Sequence, residues 1–245
     1  MNLKIIYEPK GEAAEYADLA LNYYKGCTFK CKYCYNNIQP WYQNEKYFSG
    51  PMPKENVIDR LWYDCQKLKN TECPPIFISF MGDPYCYENE KLRLTTVVLN
   101  MLIKHNLPFT ILSKGGMLAA ADLNLLENYE KCSFGQSISF MNESTKLLYE
   151  PASPSIHSRL GVLTAAAERG IKTWISLEPI IEPEEALDVI KIMHPIVDHF
   201  KIGKINHFPQ YDKNVLWRSW RDVKLLPLLK ELKVDYYLKK SLKEL

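Results

Sequence analysis

Three cysteines crowd one short segment, Gly26-Cys27-Thr28-Phe29-Lys30-Cys31-Lys32-Tyr33-Cys34-Tyr35-Asn36, with the spacing C-x3-C-x2-C. Soft thiolate donors at this density suit iron–sulfur chemistry, because three of them on one tight loop ligate three corners of a cubane cluster. A cluster of four irons held that way keeps one iron open to a substrate or cofactor, whereas an electron-transfer ferredoxin closes all four with cysteine. Structural zinc is the alternative. It wants four closed ligands, usually in paired C-x2-C units, and no His or further Cys lies at a matching short spacing.

The scaffold that must carry this loop shows as alternation. Short apolar runs at Leu19 to Tyr24, Ile76 to Met81, Phe109 to Ser113, Phe134 to Phe140, Thr173 to Glu178 and His199 to Gly203 read as strands. Between them fall amphipathic stretches over 53–69, 88–105, 117–130, 155–169, 183–193 and 214–232, with Pro53 at a first helical position and Gly170 as a C′ residue. A last strand over Val234 to Leu238 closes the set. Six β/α units in series mean a parallel sheet, and no linker, repeat or low-complexity tract divides them, so residues 1–245 are expected to form one domain. An open doubly wound sheet and a curved, barrel-like one both fit, and in both function collects at the carboxyl ends of the strands. The cysteine loop, residues 25–36, follows the first of them.

At these residues the chain resembles the radical S-adenosylmethionine (SAM) superfamily, whose signature is C-x3-C-x-aromatic-C, with Tyr33 in the aromatic slot. The resemblance implies an α/β fold, a partial (β/α)6 TIM-like barrel, matching the six units. Within the superfamily the chain looks most like the spore photoproduct lyase-like group, through CKYCY (Cys31 to Tyr35), SFMGDPY (Ser79 to Tyr85), ILSKGG (Ile111 to Gly116) and SLEPI (Ser176 to Ile180). What it implies is a [4Fe–4S] cluster on Cys27, Cys31 and Cys34, SAM on its open iron, and reductive cleavage to a 5′-deoxyadenosyl radical. An electron donor such as flavodoxin or ferredoxin is implied with it. Gly82-Asp83 stands where the superfamily holds the SAM amino group: a carboxylate accepts from an ammonium, and glycine admits close backbone approach. The alternative is a plain Gly-Asp-Pro turn. Lys114 matches the lysine for the SAM carboxylate, or is a surface lysine beside a Gly-Gly turn. Ser137 and Ser139 share a strand face by alternation and are candidates for the ribose, or are buried hydroxyls satisfied by backbone. Tyr33 is expected at the cofactors and Tyr35 is a catalytic candidate, whereas plain packing of a long loop accounts for most of Trp41, Tyr42, Tyr47 and Phe48.

Glu178, ending its strand, is a catalytic candidate, or else an N-cap or surface salt bridge at the next helix. Lys201, Lys204, Asn206 and His207 form a basic, polar set that faces substrate or lies in a solvated loop. Cys86, three residues past Asp83, is a candidate hydrogen-atom donor, or simply buried; Cys65 and Cys132 read as small core residues. True lyases carry a cysteine on the second strand where this chain has Met81, and they carry extra length before the cysteine motif, so lyase activity is not implied. The substrate is left open among nucleic acid, peptide and small metabolite. A net charge of +2, with 24% charged and 47% hydrophobic residues, excludes disorder and gives no bulk attraction to nucleic acid. Trp217, Arg218, Trp220 and Arg221 are either a local nucleic-acid contact or Trp rings covered by Arg stems. No run approaches the roughly 18 apolar residues of a membrane span, and the amino terminus lacks a long h-region and a cleavage site, so the expected location is the cytoplasm. A reading from another class also stands: a non-catalytic, metal-stabilised nucleic-acid-binding module.

Overall fold

The computed structural model describes residues 4–39, 47–212 and 215–245. Strand β1 (Ile6–Tyr7) lies antiparallel on β2 (Leu19–Leu21), and a small ribbon pairs β3 (Tyr24–Lys25) with β4 (Met52–Pro53). Beyond β2 the main sheet is parallel throughout, adding β5 (Ile76–Ile78), β6 (Phe109–Ser113), β7 (Cys132–Ser137), β8 (Thr173–Ile180), β9 (His199–Lys204) and β10 (Tyr236–Leu238). The order β1-β2-β5-β6-β7-β8-β9-β10 leaves two edges, which is a partial barrel of α/β type. The main core fills the space between sheet and helices, with Ile76, Ile78, Ile111, Phe134, Ile175 and Ile202 on the strands meeting Leu61, Leu99, Leu163 and Ile190 on the helices. A second, smaller cluster of Ala20, Phe77 and Trp174, with Tyr16, Phe80 and Leu112 packed on it, comes from four strands and the chain entering β2. No helix among the described residues is long and apolar enough to cross a membrane.

Two elements follow the sequence pattern to the residue, β6 and the helix Pro183–Met193. Others stop early for local reasons. The first expected strand ends at Leu21, because Asn22 leaves the ladder and turns its amide to another loop; Tyr24 then pairs with Pro53. Pro53 is therefore a strand residue, and its helix begins only at Val57. The 88–105 segment is two helices, Asn89–Leu92 and Leu94–Lys104, broken at Arg93 with a φ of 50°. The first part of 117–130 winds as a tighter three-residue-per-turn helix, Gly116–Asp122. Over 214–232 the helix runs from Trp217, with its middle turn widened at Arg221–Leu225 before Pro227, whose missing N–H cannot close a regular turn. Residue 214 lies outside the described residues. The helix Glu143–Tyr149 was hidden in what reads as a loop, and Asn142 caps it by accepting from Ser144 N at 2.8 Å.

Candidate active site

A parallel sheet aims its βα loops at one end, and there a cavity of about 650 Å³ opens. Cys27, Cys31 and Cys34 all line it. Their loop is fixed by backbone bonds to chain far away: Cys27 N donates to Tyr47 O at 2.9 Å, and Lys32 N to Tyr149 O at 2.9 Å. Asn36 adds an amide donor to Cys34 Sγ at 3.7 Å and to the Tyr47 hydroxyl at 2.9 Å. The loop after β5 is pressed against it, and Gly82, at φ +81°, is required there. A Cβ at Gly82 would lie 2.5 Å from Gly26 O.

Burial pushes all three thiols above the usual cysteine range. Asp83 and Cys31 add to the shift at Cys27; at Cys31 Glu150 raises it further against Lys114; at Cys34 the Asn36 amides partly offset it. A thiolate at this depth needs a positive partner, which a metal supplies.

Asp83 is buried at the cavity wall and its carboxylate is held by three donors: Ser113 Oγ at 2.5 Å, Lys114 N at 2.6 Å and Tyr85 N at 2.9 Å. Burial raises its pKa, and those same donors pull it back. Lys114 reaches from the end of β6 to Ser137 Oγ at 2.9 Å, and its ammonium stands over the Tyr33 ring at 5.6 Å. Gly82, Asp83, Lys114, Ser137, Tyr33 and Tyr35 all line the same cavity as the thiols. Tyr35 is 40% exposed, with its hydroxyl donating to Phe80 O; the Tyr33 hydroxyl points inward and donates to Glu150.

Two expected members fall outside the set. Cys86 is fully buried in the main core and does not line the cavity; burial, with Asp83, pushes its thiol up to about 12. Ser139 is also buried off the cavity, because β7 ends at Ser137 and the alternation that paired the two serines stops there. Trp41 and Tyr42 lie outside the described residues. Trp217 and Trp220 are buried, with Trp217 Nε1 donating to Asp212 and Arg221 bonding Leu242 O at 2.6 Å, so neither ring is offered to a nucleic acid.

A further stretch of the cavity wall is aromatic and cationic. Phe77 and Phe80 stack at 4.2 Å, and Tyr16 meets both edge-on. Glu178 lines this stretch, paired with Lys239 Nζ at 2.9 Å and accepting from the Tyr16 hydroxyl. Lys204, Asn206 and His207 line it too. Lys201 does not: its Nζ donates to Tyr16 O at 2.9 Å, between the Tyr16 and Trp174 rings, and burial followed by Lys239 repulsion lowers its pKa to about 8.

Sequence reasoning missed Asn22, whose Oδ1 accepts from Ser79 Oγ, Phe80 N and Met81 N at 2.8–3.0 Å and so shapes the loop that carries Gly82. It also missed Asn36, Tyr16, Lys239, Glu150 and Arg159. Asn36 alone had a signal, its place two residues past Cys34; the others meet the site from distant sequence.

A family model described as the radical SAM superfamily matches residues 21–196. An uncharacterised protein of Methanocaldococcus jannaschii is 31% identical over 166 residues, covering 67% of this chain and 61% of that one. An uncharacterised protein of Acidianus two-tailed virus is 27% identical over 206 residues, covering 77% and 65%. The chain thus spans less than two thirds of either relative. In fold it is similar to a spore photoproduct lyase variant with bound dinucleoside spore photoproduct (TM-score 0.70, 14% identity, 97% of this chain and 79% of that one). It is also similar to Streptococcus suis SuiB bound to S-adenosylmethionine (TM-score 0.63, 12% identity, 87% and 48%).

Proposed function

We propose, from the premise that this chain belongs to the radical SAM superfamily, that Cys27, Cys31 and Cys34 hold the cluster and that Asp83 and Lys114 hold S-adenosylmethionine beside it. The chain is a radical SAM enzyme, and its cofactors are a [4Fe–4S] cluster and S-adenosylmethionine. The observation that carries the residue assignment is that three thiols, a carboxylate and an ammonium open into one cavity. Among the described residues no three His, Cys, Asp or Glu side chains close on a single ion. A cubane takes each thiolate on a different iron, so its ligands stand around a volume and not around a point.

The chemistry these groups supply when bound is one-electron reductive cleavage of a C–S bond of S-adenosylmethionine, giving a 5′-deoxyadenosyl radical. The chain's own residues bind, orient and exclude water. Asp83, already aimed by Ser113, Tyr85 and the Lys114 backbone, offers its carboxylate to the ammonium of the ligand. Lys114, steered by Ser137, offers its charge to the ligand carboxylate. Ser137 is the serine left for the ribose. Tyr35 covers the mouth, and Tyr33 anchors the thiol loop from beneath.

The substrate class we propose is a nucleobase-bearing one. The stacked Phe77–Phe80 wall suits a flat ring, and Lys204 and His207, now paired with Asp212 at 3.8 Å and Glu12 at 3.3 Å, would exchange those carboxylates for a phosphate carried with it. For hydrogen-atom return, Met81 stands in the lyase position and Cys86 is sealed in the core, so among the described residues the cavity is lined by no thiol beyond the three assigned to the cluster. Lyase activity is therefore not part of the proposal. An electron donor of flavodoxin or ferredoxin type completes it.

The test is anaerobic. The chain is reconstituted with iron and sulfide, reduced with dithionite and given S-adenosylmethionine, and 5′-deoxyadenosine is quantified. The expected result is product that disappears in Cys27→Ala and rises when a short single-stranded oligonucleotide is added. A reconstituted chain that makes no product under any of these conditions overturns the activity; product indifferent to the oligonucleotide overturns the substrate class.

A further inference from the structure

One carboxylate joins the parts of the proposed cofactor site to each other. Glu150, just after the helix Glu143–Tyr149, is 0% exposed, and Arg159, one turn into the helix Ile156–Ala167, is 1% exposed. One Glu150 oxygen accepts from the Tyr33 hydroxyl and lies 4.0 Å from Lys114 Nζ; the other accepts from Arg159 Nη2 at 2.5 Å and Ser153 Oγ at 3.2 Å. Arg159 spends its remaining donors on Ser153 Oγ, from Nη2 at 2.5 Å, and on backbone: Nη1 on Ser137 O at 3.0 Å, Nε and Nη2 on Pro154 O. A single buried ion pair therefore touches Tyr33 between Cys31 and Cys34, the lysine assigned to the ligand carboxylate, and the strand end that carries Ser137.

We infer that the Glu150–Arg159 pair is a positioning and electrostatic element that sets the reduction potential of the cluster, an inference that rests on the reading that Cys27, Cys31 and Cys34 hold it. The argument is one of charge and place. Burying two charges is costly, and an apolar pair of similar volume would pack as well or better, so stability alone gives little reason for ions at this spot. What an ion pair adds is a fixed field. Cluster potentials respond to nearby net charge and hydrogen bonding, and Glu150 bonds Tyr33, which stands between Cys31 and Cys34 in the chain. With both partners present, their charges cancel and Lys114 contributes one positive charge. Neutralising Glu150 leaves Arg159 and Lys114 as two uncompensated cations, which favours the reduced cluster. Neutralising Arg159 leaves Glu150 to cancel Lys114, which disfavours it. Glu150 and Arg159 touch no reacting atom; they act through Tyr33 and Lys114.

The test compares Glu150→Gln, Arg159→Met and the double variant with the parent chain, each reconstituted anaerobically. Iron and sulfide content, circular dichroism and the midpoint potential of a redox titration are read. The expected result is a positive shift in Glu150→Gln, a negative shift in Arg159→Met and a return close to the parent value in the double variant. A merely structural pair gives a different pattern: less cluster in the variants, at the parent potential, and that result overturns the inference. If either single variant fails to fold, Tyr33→Phe decides. It keeps both charges and strips Glu150 of one donor, so the potential should fall, and an unchanged potential overturns the inference. A parent chain that assembles no cluster would instead defeat the reading beneath it, so the two failures are distinguishable.

Discussion

Two stretches of the cavity wall are held differently. Around the thiols, loops are held through their own backbone groups: Cys27 N and Lys32 N bond distant carbonyls, the Asn22 side chain gathers Phe80 N and Met81 N, and Gly82 folds against Gly26. Around Glu178, position is held by side chains meeting across the whole chain. Tyr16 reaches Glu178 and Ser176, Lys239 reaches Glu178, and Glu15 accepts from Lys240 N at 2.9 Å. Backbone-held loops tolerate little, because a displaced carbonyl or amide is left unpaired in a buried place. Side-chain networks tolerate single losses better and can be re-cut for a different ligand. The contrast fits the proposed division, with the cofactors at the backbone-held loops and the substrate at the side-chain network.

The largest expected effect sharpens this contrast at the thiol end. Gly82→Ala puts a Cβ 2.5 Å from Gly26 O in a left-handed conformation, at a cost of about 2–3 kcal/mol. A lowered unfolding midpoint and poor iron retention after reconstitution are expected together. An unperturbed iron content would mean the two loops are not a rigid clasp.

A middle-sized effect concerns Asp83. Asp83→Asn removes the charge and forces an amide N–H toward one of three existing donors. Loss of one charge-assisted hydrogen bond, about 1.5–3 kcal/mol, weakens S-adenosylmethionine binding roughly 10- to 100-fold. Equilibrium dialysis against the reconstituted variant measures it, and parental affinity would return Gly82-Asp83 to the status of a plain turn.

The smallest effect lies at the other end and is read in pH. Lys201 has its pKa lowered to about 8 by burial and by Lys239, below the ordinary lysine value. Between that value and the unfolded one, the unfolded state binds more protons, so this group's contribution to stability rises with pH. Its penalty is fully present below about pH 8 and fades toward pH 10. The stability of the parent chain relative to Lys201→Met should therefore increase across that window in paired thermal melts; a flat difference would show that Lys201 is not held in a desolvated place.

The same contrast explains what was legible in the sequence. The thiol end could be read because its cysteines sit in one short segment, Cys27 to Cys34, and because Gly82-Asp83 lies in the loop after β5 and Lys114 directly follows β6. The parallel sheet then brought them together, as the alternation of strands and helices implied. Ser139 and Cys86 were misplaced because both depend on where a strand or turn ends, and the end of β7 at Ser137 has no mark in the sequence. Tyr16 with Glu178, and Glu15 with Lys239 and Lys240, were invisible, since pairs separated by most of the chain leave no spacing to detect. Glu150 and Arg159 were hidden differently: their segment looked like an ordinary loop and helix, and only the contacts of Glu150 with Tyr33 and Lys114 tie the pair to cavity-lining residues.

The most direct measurement of the central claim is the electron paramagnetic resonance spectrum of the reduced, reconstituted chain with and without S-adenosylmethionine. If Cys27, Cys31 and Cys34 hold the cluster and Asp83 and Lys114 the ligand, one iron is left for S-adenosylmethionine, so the account predicts a cluster signal that changes on adding the ligand and changes far less in Asp83→Asn. A cluster signal indifferent to S-adenosylmethionine, or no cluster signal from the parent chain, would contradict it.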